Sequence, residues 1–318
     1  MVSSDKVERS KQIQKQTGKT FYFATKLLPE DIRHETYVLY AFFRKADEIV
    51  DSTDPDPNQG EKLENFRKEA KGQVNSNDVV IQSFNEVRED KDIRDQDIDA
   101  FIDAMKMDIE KSRYEDFQEV RNYMDGSASA VGRMMTSIMN PEQKEKALPH
   151  ATALGEAYQM TNFLRDVGED IQKYDRVYLP KSTRDEFDVS VEQIRNGKVD
   201  DNFKKAIEEE LKRTEVLYEE GVKGIKYLPE NCQFGVFVSA VLYSQHHHLI
   251  RSVDYDVLNQ TPELKRRTKV KLVVSAYWHW KRAENPTEAF RRASSIYRDG
   301  DEGITSDGRI SREFEPSN

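Results

Sequence analysis

The stretch "YVLYAFFRKADEIVD", from Tyr37 to Asp51, carries apolar side chains on nearly every side of a helix in its first half. A helix that is apolar all round is a buried one, so this stretch predicts a helix in the interior of a helical protein. Asp47 and Asp51 are four residues apart and therefore share one face of that helix. Because buried carboxylates need a cation nearby, the stretch also predicts an interior site where a cation meets two acids.

A second stretch, "YQMTNFLRDVGED" from Tyr158 to Asp170, repeats this spacing with Asp166 and Asp170. Gln159 and Asn162 precede these acids at positions that place all four polar side chains on one narrow stripe of a helix. A polar stripe is commonly the solvent face, and this segment alone leaves that interpretation open. The small and apolar residues before the stripe, and an arginine close to the acids in both stretches, favour a second buried acidic motif.

Two acidic motifs on facing helices would form a pocket of oxygen ligands, which suits Mg²⁺ bound together with substrate phosphates. Basic residues accompany the acids: Arg44, Arg165, Arg176 and Lys19. Carboxylates, Mg²⁺ and guanidinium groups together can hold a diphosphate and stabilise its departure. A single pair of this spacing arises by chance in an acidic chain, and we interpret the pairs within 92–99 as surface residues.

The composition limits the function classes. The 318 residues include 34% charged residues and have a formal net charge of -10, which argues against nucleic acid as a partner. A single cysteine, Cys232, rules out an internal disulfide and fits a reducing cytoplasm. The sequence begins without the apolar segment of a signal peptide. Its longest apolar run, Phe234 to Tyr243, is shorter than the roughly 20 residues of a membrane span and predicts a buried helix.

Helical periodicity dominates the chain, with apolar residues such as Phe101, Met105 and Ile109 recurring at steps of three and four. Alternating strand patterns are scarce, so we predict an all-α fold of eight to ten helices. The breaks between helices are short, which favours one domain over residues 1–298. The tail, 299–318, is polar and glycine-rich, and we expect it to be frayed.

Some conspicuous features have a simpler interpretation than a binding site. Three consecutive histidines, His246 to His248, point in three directions and are interpreted as a polar helix end. Cys232 is expected to be inert. The basic segment 263–271 is interpreted either as a solvated helix face or as a contact with an anionic membrane or with diphosphate. Trp278 and Trp280 are expected to pack in the protein.

Five stretches, in this order, resemble the head-to-head prenyl synthases, the squalene and phytoene synthase family. They are "GKTFYFATKLLPEDIR" (18–33), "YVLYAFFRKADEIVD" (37–51), "NYMDGSASAVG" (122–132), "YQMTNFLRDVGED" (158–170) and "RVYLP" (176–180). The last stretch is most similar to the phytoene synthase branch. The resemblance implies a single-domain, all-α bundle of the isoprenoid synthase type around a central cavity, with the two acidic motifs on facing helices.

The resemblance also implies roles for particular residues. The Mg²⁺ ligands would be Asp47, Asp51, Asn162, Asp166 and Asp170. The catalytic set would be Arg44, Asp47, Asp51, Arg165, Asp166 and Asp170. Substrate would contact Lys19, Thr20, Phe21, Tyr40, Arg44, Tyr123, Gln159, Arg165, Arg176 and Tyr243. The sequence departs from the family pattern at Gly18, Thr20 and Glu48, none of which removes a metal ligand. Either Arg266 or Arg267 could supply a further phosphate contact. Candidates for an apolar tunnel wall, with core packing as the alternative, are Phe21, Phe42, Phe43, Ala128, Val131, Met160 and Phe163.

The implied reaction is the Mg²⁺-dependent condensation of two geranylgeranyl diphosphate molecules to phytoene through a cyclopropyl diphosphate, the first committed step of carotenoid biosynthesis. Mn²⁺ is an alternative ion, and NADPH is not expected. A squalene or dehydrosqualene synthase acting on farnesyl diphosphate is the first alternative. A terpene cyclase is a further one, and a non-catalytic scaffold of a membrane isoprenoid pathway is an alternative of another class. We expect a cytoplasmic protein with peripheral contact to the inner face of the membrane, and the oligomeric state stays open.

Overall fold

The computed structural model describes residues 4–17, 19–51 and 56–297, and within these ranges the protein is all-α. The predicted fold class is therefore confirmed, and the β-pairing of these residues is limited to one isolated bridge between Arg113 and Val177. The predicted tail, 299–318, lies outside the described residues.

The described residues form more helices than predicted. The α-helices are α1 Ser4–Thr17, α2 Lys19–Thr25, α3 Glu30–Val50, α4 Gln59–Ala70, α5 Val79–Lys91, α6 Asp95–Glu110, α7 Phe117–Met124, α8 Ala130–Met139, α9 Lys144–Arg165, α10 Val167–Tyr174, α11 Lys181–Glu186, α12 Val191–Arg195, α13 Asp201–Val222, α14 Glu230–Ser252, α15 Arg266–Arg282 and α16 Pro286–Ala293. A π-helical turn spans Asp125–Ser129, and a 3₁₀ turn spans Lys223–Tyr227. The prediction of eight to ten helices was wrong because several of these are too short for an apolar periodicity to show in sequence.

Helix α3 lies in the core, as its sequence predicts. Phe42 is fully buried and its ring stacks on Phe84 with centroids 3.8 Å apart, while Phe66 approaches at 5.1 Å. Aromatic contacts of this kind fix the rotation of α3 about its axis. The opposite side of α3 is thereby turned toward the interior cavity described below.

Helix α9 approaches its neighbours at glycines, and this close contact shapes the same cavity. A Cβ atom added to Gly155 would lie 2.6 Å from the carbonyl oxygen of Ala128 in the π-helical turn. One added to Gly132 on α8 would lie 2.4 Å from the carbonyl oxygen of Ala151. Only glycine permits backbones to approach so closely. The wall between α8 and α9 is thus made of backbone against backbone.

The stripe predicted as one helix from Gln159 to Asp170 is broken at Asp166, which lies between α9 and α10 with φ -104° and ψ 11°. The amide of Gly168 donates to the carbonyl oxygen of Val257 at 3.1 Å, and a Cβ on Gly168 would lie 2.3 Å from the carbonyl oxygen of Leu258. Packing of this distant segment on Gly168 redirects the chain. Helix α10 consequently packs in a second apolar cluster, with Leu211 and Ile250, rather than in the main core.

The sequence analysis interpreted the acids of 92–99 as surface residues, and this interpretation is wrong for one of them. Asp97 is 2% exposed, and its carboxylate accepts from Arg94 Nε at 3.0 Å and from Arg133 Nε at 2.6 Å. Two guanidinium groups permit this burial: Arg94 lies three residues before Asp97, whereas Arg133 is distant in the chain and could not be recognised as a partner beforehand. No helix of the described residues is long and apolar enough to cross a membrane.

Candidate active site

A cavity of about 750 Å³ lies among helices α2, α3, α6, α7, α9, α10, α14 and α15. Most of the predicted site residues line it: Thr20, Phe21, Tyr40, Asp47, Asp51, Tyr123, Gln159, Asn162, Arg165, Asp166, Asp170, Arg176 and Tyr243. Arg44 is one turn from the lining and contacts Asp47. The side chain of Lys19 lies outside the described part of the structure. The structure therefore brings the two acidic motifs to one cavity.

The first motif combines a half-buried acid, Asp47, with a second acid, Asp51, that forms an ion pair across the cavity. Asp47 contacts Arg44 Nη1 at 3.6 Å, yet burial, together with repulsion from Asp51 and Asp108, raises its pKa to about 7. Asp51 accepts a hydrogen bond from Arg176 Nη1 at 3.2 Å. One motif therefore presents a carboxylate that is paired with Arg176 and a second carboxyl group whose pKa is raised.

The second motif repeats this division of roles. Arg165 forms two hydrogen bonds with Asp166, its neighbour in the chain. Its Nε donates to Oδ1 at 2.7 Å and its Nη2 donates to Oδ2. Burial and repulsion from Asp166 and Glu169 raise the pKa of Asp170 to about 8. Asp51 of the first motif also raises it, so the two motifs are close enough to repel each other.

Asp108, at the end of α6, joins the two sides of the site and was missed in the sequence. It accepts from Tyr123 Oη at 2.7 Å and from Tyr178 Oη at 3.1 Å, and Arg176 Nη2 donates to its carbonyl oxygen at 2.9 Å. Burial raises the pKa of this carboxyl to about 6 against the opposing effect of Arg176.

A sequence signal for Asp108 did exist. Asp108 lies seven residues after Phe101 and three residues after Met105, and both of these residues line the cavity. The sequence analysis assigned Ile109 to that stripe, but Ile109 is 38% exposed. Asp108 fits the helical spacing of the buried stripe better than Ile109 does. An acidic residue among buried apolar ones is unusual and therefore indicates a site.

Aromatic rings form a further part of the cavity wall. Phe163 stacks on Tyr178 with centroids 3.8 Å apart and an interplanar angle of 9°, and Tyr123 lies 5.5 Å from Tyr178. Among the candidates for a tunnel wall, five line the cavity: Phe21, Phe43, Ala128, Val131 and Phe163. Phe42 and Met160 are buried in the core and do not line the cavity, so the alternative of core packing is confirmed for these two residues.

The end of the cavity beside α14 and α15 contains groups that the sequence analysis had placed elsewhere. His246 is 3% exposed and lines the cavity, so the prediction of a polar helix end at His246 to His248 was wrong. Burial, with the nearby charges of Arg165 and Lys269, lowers the pKa of His246 to about 3 and keeps the imidazole neutral. Arg266 and Arg267 are exposed, whereas Lys269 lines the cavity.

Tyr243 also stands at this end, where its ring stacks on Tyr158 at 4.4 Å. Burial raises the pKa of the Tyr243 phenol to about 12, so it stays a hydrogen-bond donor at neutral pH. Arg165, Lys269, His246 and Tyr243 together give this end of the cavity donors suited to an anion.

The donor set fits a divalent cation. Carboxylates from α3 and α10 face each other, and burial together with repulsion between neighbouring carboxylates raises the pKa values of Asp47 and Asp170, an arrangement that a hard cation would relieve. Asn162 adds a neutral oxygen beside them. Among the described residues, no three acidic, histidine or cysteine side chains already meet at one point. An ion here would therefore be shared between carboxylates, water and substrate oxygens.

An all-α domain with two acidic motifs that face each other across a cavity lined in part by aromatic rings defines the class of protein to which the comparisons also point. The profile of the squalene/phytoene synthase family matches residues 14–272. The chain therefore belongs to the squalene/phytoene synthase family, and with it to the head-to-head prenyltransferases.

Curated relatives cover most of the chain. A chloroplastic phytoene synthase from an Oncidium hybrid cultivar is 32% identical over 85% of this chain and 67% of its own. A 15-cis-phytoene synthase from Synechococcus elongatus is 29% identical over 81% of this chain and 87% of its own.

Solved structures agree on the fold. A dehydrosqualene synthase in complex with a ligand superposes with a TM-score of 0.80 at 26% identity, covering 88% of this chain and 98% of its own. A squalene synthase from Alicyclobacillus acidocaldarius, at 19% identity, superposes with a TM-score of 0.71 over 79% of this chain and 95% of its own. The second likeness concerns the fold alone.

Proposed function

We propose that this protein is a phytoene synthase that joins two molecules of geranylgeranyl diphosphate. The observation that carries the proposal is the cavity itself, which two acidic motifs and their arginines line together with stacked aromatic rings. Such a site suits a substrate with an anionic head and a long apolar chain. The curated relatives that are named phytoene synthases favour the C20 substrate.

We propose that Mg²⁺, with Mn²⁺ as an alternative, is held by Asp47, Asp51, Asn162, Asp166 and Asp170. When bound, the ion would neutralise charge on the departing diphosphate. Arg44 and Arg165 would supply fixed positive charge beside the two motifs, where the leaving group gains charge as the allylic C–O bond breaks.

The proposed condensation breaks both C–O bonds in turn and releases two protons. Diphosphate leaves the first substrate with the electron pair of its C–O bond, and the double bond of the second substrate attacks the allylic cation. Loss of one proton closes a cyclopropane ring. The second C–O bond then breaks, the cation rearranges, and loss of a second proton gives a C40 hydrocarbon and two diphosphates in all.

The residues of this chain contribute shelter and orientation during these steps. The aromatic wall of Tyr123, Phe163 and Tyr178 excludes water, which would trap a carbocation, and presents ring faces that stabilise positive charge. Tyr243 and Lys269 stand at the end beside the second motif, where they can donate to diphosphate oxygens. Arg176 ties the first motif to Asp108 and so holds the two sides of the cavity together.

A dehydrosqualene or squalene synthase acting on farnesyl diphosphate is the second candidate, because a dehydrosqualene synthase is among the solved structures that superpose well. We also propose that the protein is cytoplasmic and makes peripheral contact with the inner face of the membrane, into which the apolar product would leave.

The test is an incubation of the purified full chain with Mg²⁺ and either geranylgeranyl or farnesyl diphosphate, without NADPH, followed by mass analysis of the extracted hydrocarbons. A C40 product that disappears in Asp166→Ala supports the proposal. A C30 product assigns the chain to the second candidate. No product from either substrate by the folded protein would contradict both and leave the scaffold alternative.

A further inference from the structure

Helix α15 carries an outer face that combines apolar and basic side chains. Its exposed residues are Arg266, Arg267, Val270, Lys271, Val274, Tyr277, Trp278, Lys281 and Arg282. Four of these nine side chains are apolar or aromatic, five are basic and none is acidic. We call these nine residues the outer face of α15.

The apolar members form a stripe. Val270, Val274 and Tyr277 follow one another at i, i+4 and i+7, and Trp278 lies beside them. Their exposed fractions lie between 46% and 54%. Only two other large hydrophobic side chains of the described residues are comparably exposed, Val74 and Ile109, and each belongs to a different element. Exposed apolar side chains are therefore concentrated on this helix.

The opposite side of α15 fixes the helix in place. Ala276 is fully buried, and the ring of Trp280 lies 4.8 Å from that of Phe237 on α14. Lys269 points to the other side of the helix from the stripe and lines the cavity. Because the inner side is packed, the outer face cannot turn inward, and it lies about one helix diameter, roughly 10 Å, from the cavity.

The charge of this helix is opposite to that of the protein. The whole chain has a net charge of -10, whereas α15 carries six Lys and Arg residues and no acid. Arg282 lies over the ring of Trp278 at 5.1 Å, and Lys281 lies over the ring of Tyr277 at 5.9 Å. A stripe of apolar and aromatic side chains flanked by basic ones is the pattern of a helix that lies in the interface of an anionic membrane.

We propose that the outer face of α15 docks the protein on an anionic lipid bilayer, with the helix parallel to the surface. The helix has 17 residues and is about 26 Å long, and its exposed basic residues share the outward side with the apolar stripe, with Lys271 and Arg282 along one edge of it. A stable dimer would bury about 800 Å² per partner, which four half-exposed side chains do not supply. The biological sense of this docking rests on the proposed function, since the hydrocarbon product would leave a cavity close to the lipid.

The two tryptophans of the chain, Trp278 and Trp280, give a direct test because they stand on opposite sides of α15. In Trp280→Phe, the emission of Trp278 is expected to shift to the blue and to be quenched by brominated lipids when phosphatidylglycerol-containing vesicles are added. In Trp278→Phe, the remaining Trp280 is already packed against Phe237 and should show neither effect.

Flotation of the full chain with the same vesicles tests the contribution of each kind of side chain. The double variant Val274→Ser with Trp278→Ser should lower the partition coefficient by about tenfold or more. Lys271→Glu with Lys281→Glu should remove the preference for anionic over phosphatidylcholine vesicles and its sensitivity to salt. Matched controls elsewhere on the surface, Val74→Ser and Lys198→Glu, should bind as the unaltered protein does.

The outcomes that overturn the proposal are distinct from failure of the proposed function. An unchanged Trp278 emission, or apolar variants that still float, would overturn it. So would a dimer that dissociates in the apolar variants without any lipid binding, since the face would then join two copies. Vesicle binding needs no substrate, and activity is measured separately in detergent micelles. Product without binding contradicts this inference alone, and binding without product contradicts the proposed function alone.

Discussion

The two acidic motifs have the same spacing but stand on different backbones. Asp47 and Asp51 belong to the end of one continuous helix, whereas Asp166 occupies the break between α9 and α10. The first motif receives a guanidinium from Arg176, distant in the chain, and the second receives one from the adjacent Arg165. In each motif one acid is held by an arginine and the other has a raised pKa. The common feature is thus the charge arrangement and not the backbone that supports it.

If the two motifs act as one site, the acids with raised pKa values should be equally indispensable. Asp47→Asn and Asp170→Asn are each expected to lower kcat by about 10²- to 10³-fold, because each removes a negative oxygen that a metal ion would bind. Steady-state kinetics with geranylgeranyl diphosphate over a series of Mg²⁺ concentrations measure this. Asp201→Asn, at the exposed start of α13, is the matched control. A variant of either motif with full activity would show that its acid is not a ligand.

Substitution of the arginines should distinguish the two motifs, because Arg165 is adjacent in the chain to the acid that it contacts, whereas Arg176 is distant in the chain from the acid that it contacts. Arg165→Gln is expected to lower kcat by about 10²-fold because Arg165 stands at the second motif. Arg176→Gln should lower it comparably and also lower stability, since it breaks the contacts with both Asp51 and the Asp108 carbonyl. Kinetics and thermal unfolding together distinguish the two variants. Equal stability losses in both would contradict the bridging role of Arg176.

The hydroxyl groups that hold Asp108 should matter less than the charges. Tyr178→Phe keeps the ring stacked on Phe163 and removes one hydrogen bond, which contributes about 1 kcal/mol. We expect kcat/KM to fall by about fivefold, with KM for Mg²⁺ unchanged. Phe163→Leu removes the ring and keeps the hydrogen bond, so comparing the two variants separates the roles. A loss in Tyr178→Phe as large as that of the acid variants would place Tyr178 in direct contact with the reacting atoms.

The smallest expected effect is on stability and depends on pH. Burial and repulsion raise the folded-state pKa values of Asp47 and Asp170 above the usual value of an aspartate, so their ionisation opposes folding. Without metal, stability should therefore fall as the pH rises from about 4 to about 8. In Asp170→Asn the fall in Tm between pH 6 and pH 9 should be smaller by about 2 °C or more. Added Mg²⁺ with pyrophosphate should reduce the fall in the unaltered protein, and an identical pH profile in both proteins would contradict the assignment.

The sequence predicts what local pattern can encode. The burial of α3 follows from its apolar composition, and the gathering of both acidic motifs at one cavity follows from matching spacing in similar contexts. The break at Asp166 could not be predicted, because it arises from packing of Val257 and Leu258 on Gly168, about 90 residues away. Asp108 and Lys269 line a cavity that several helices form together. Their neighbours in space can therefore be identified only from the assembled fold.

The contact of Gly155 with Ala128 limits how the cavity can change over evolutionary time. Both residues line the cavity, and the wall between them is one backbone against another, with no side chain to shorten. Any larger residue at Gly155 would have to displace a helix, so very few substitutions can be tolerated at this position. A lineage that lengthens or shortens its hydrocarbon must therefore do so at flexible side chains such as Met105 and Met135, which also line the cavity. Product length can then change by small steps, while the contact between Gly155 and Ala128 stays constant.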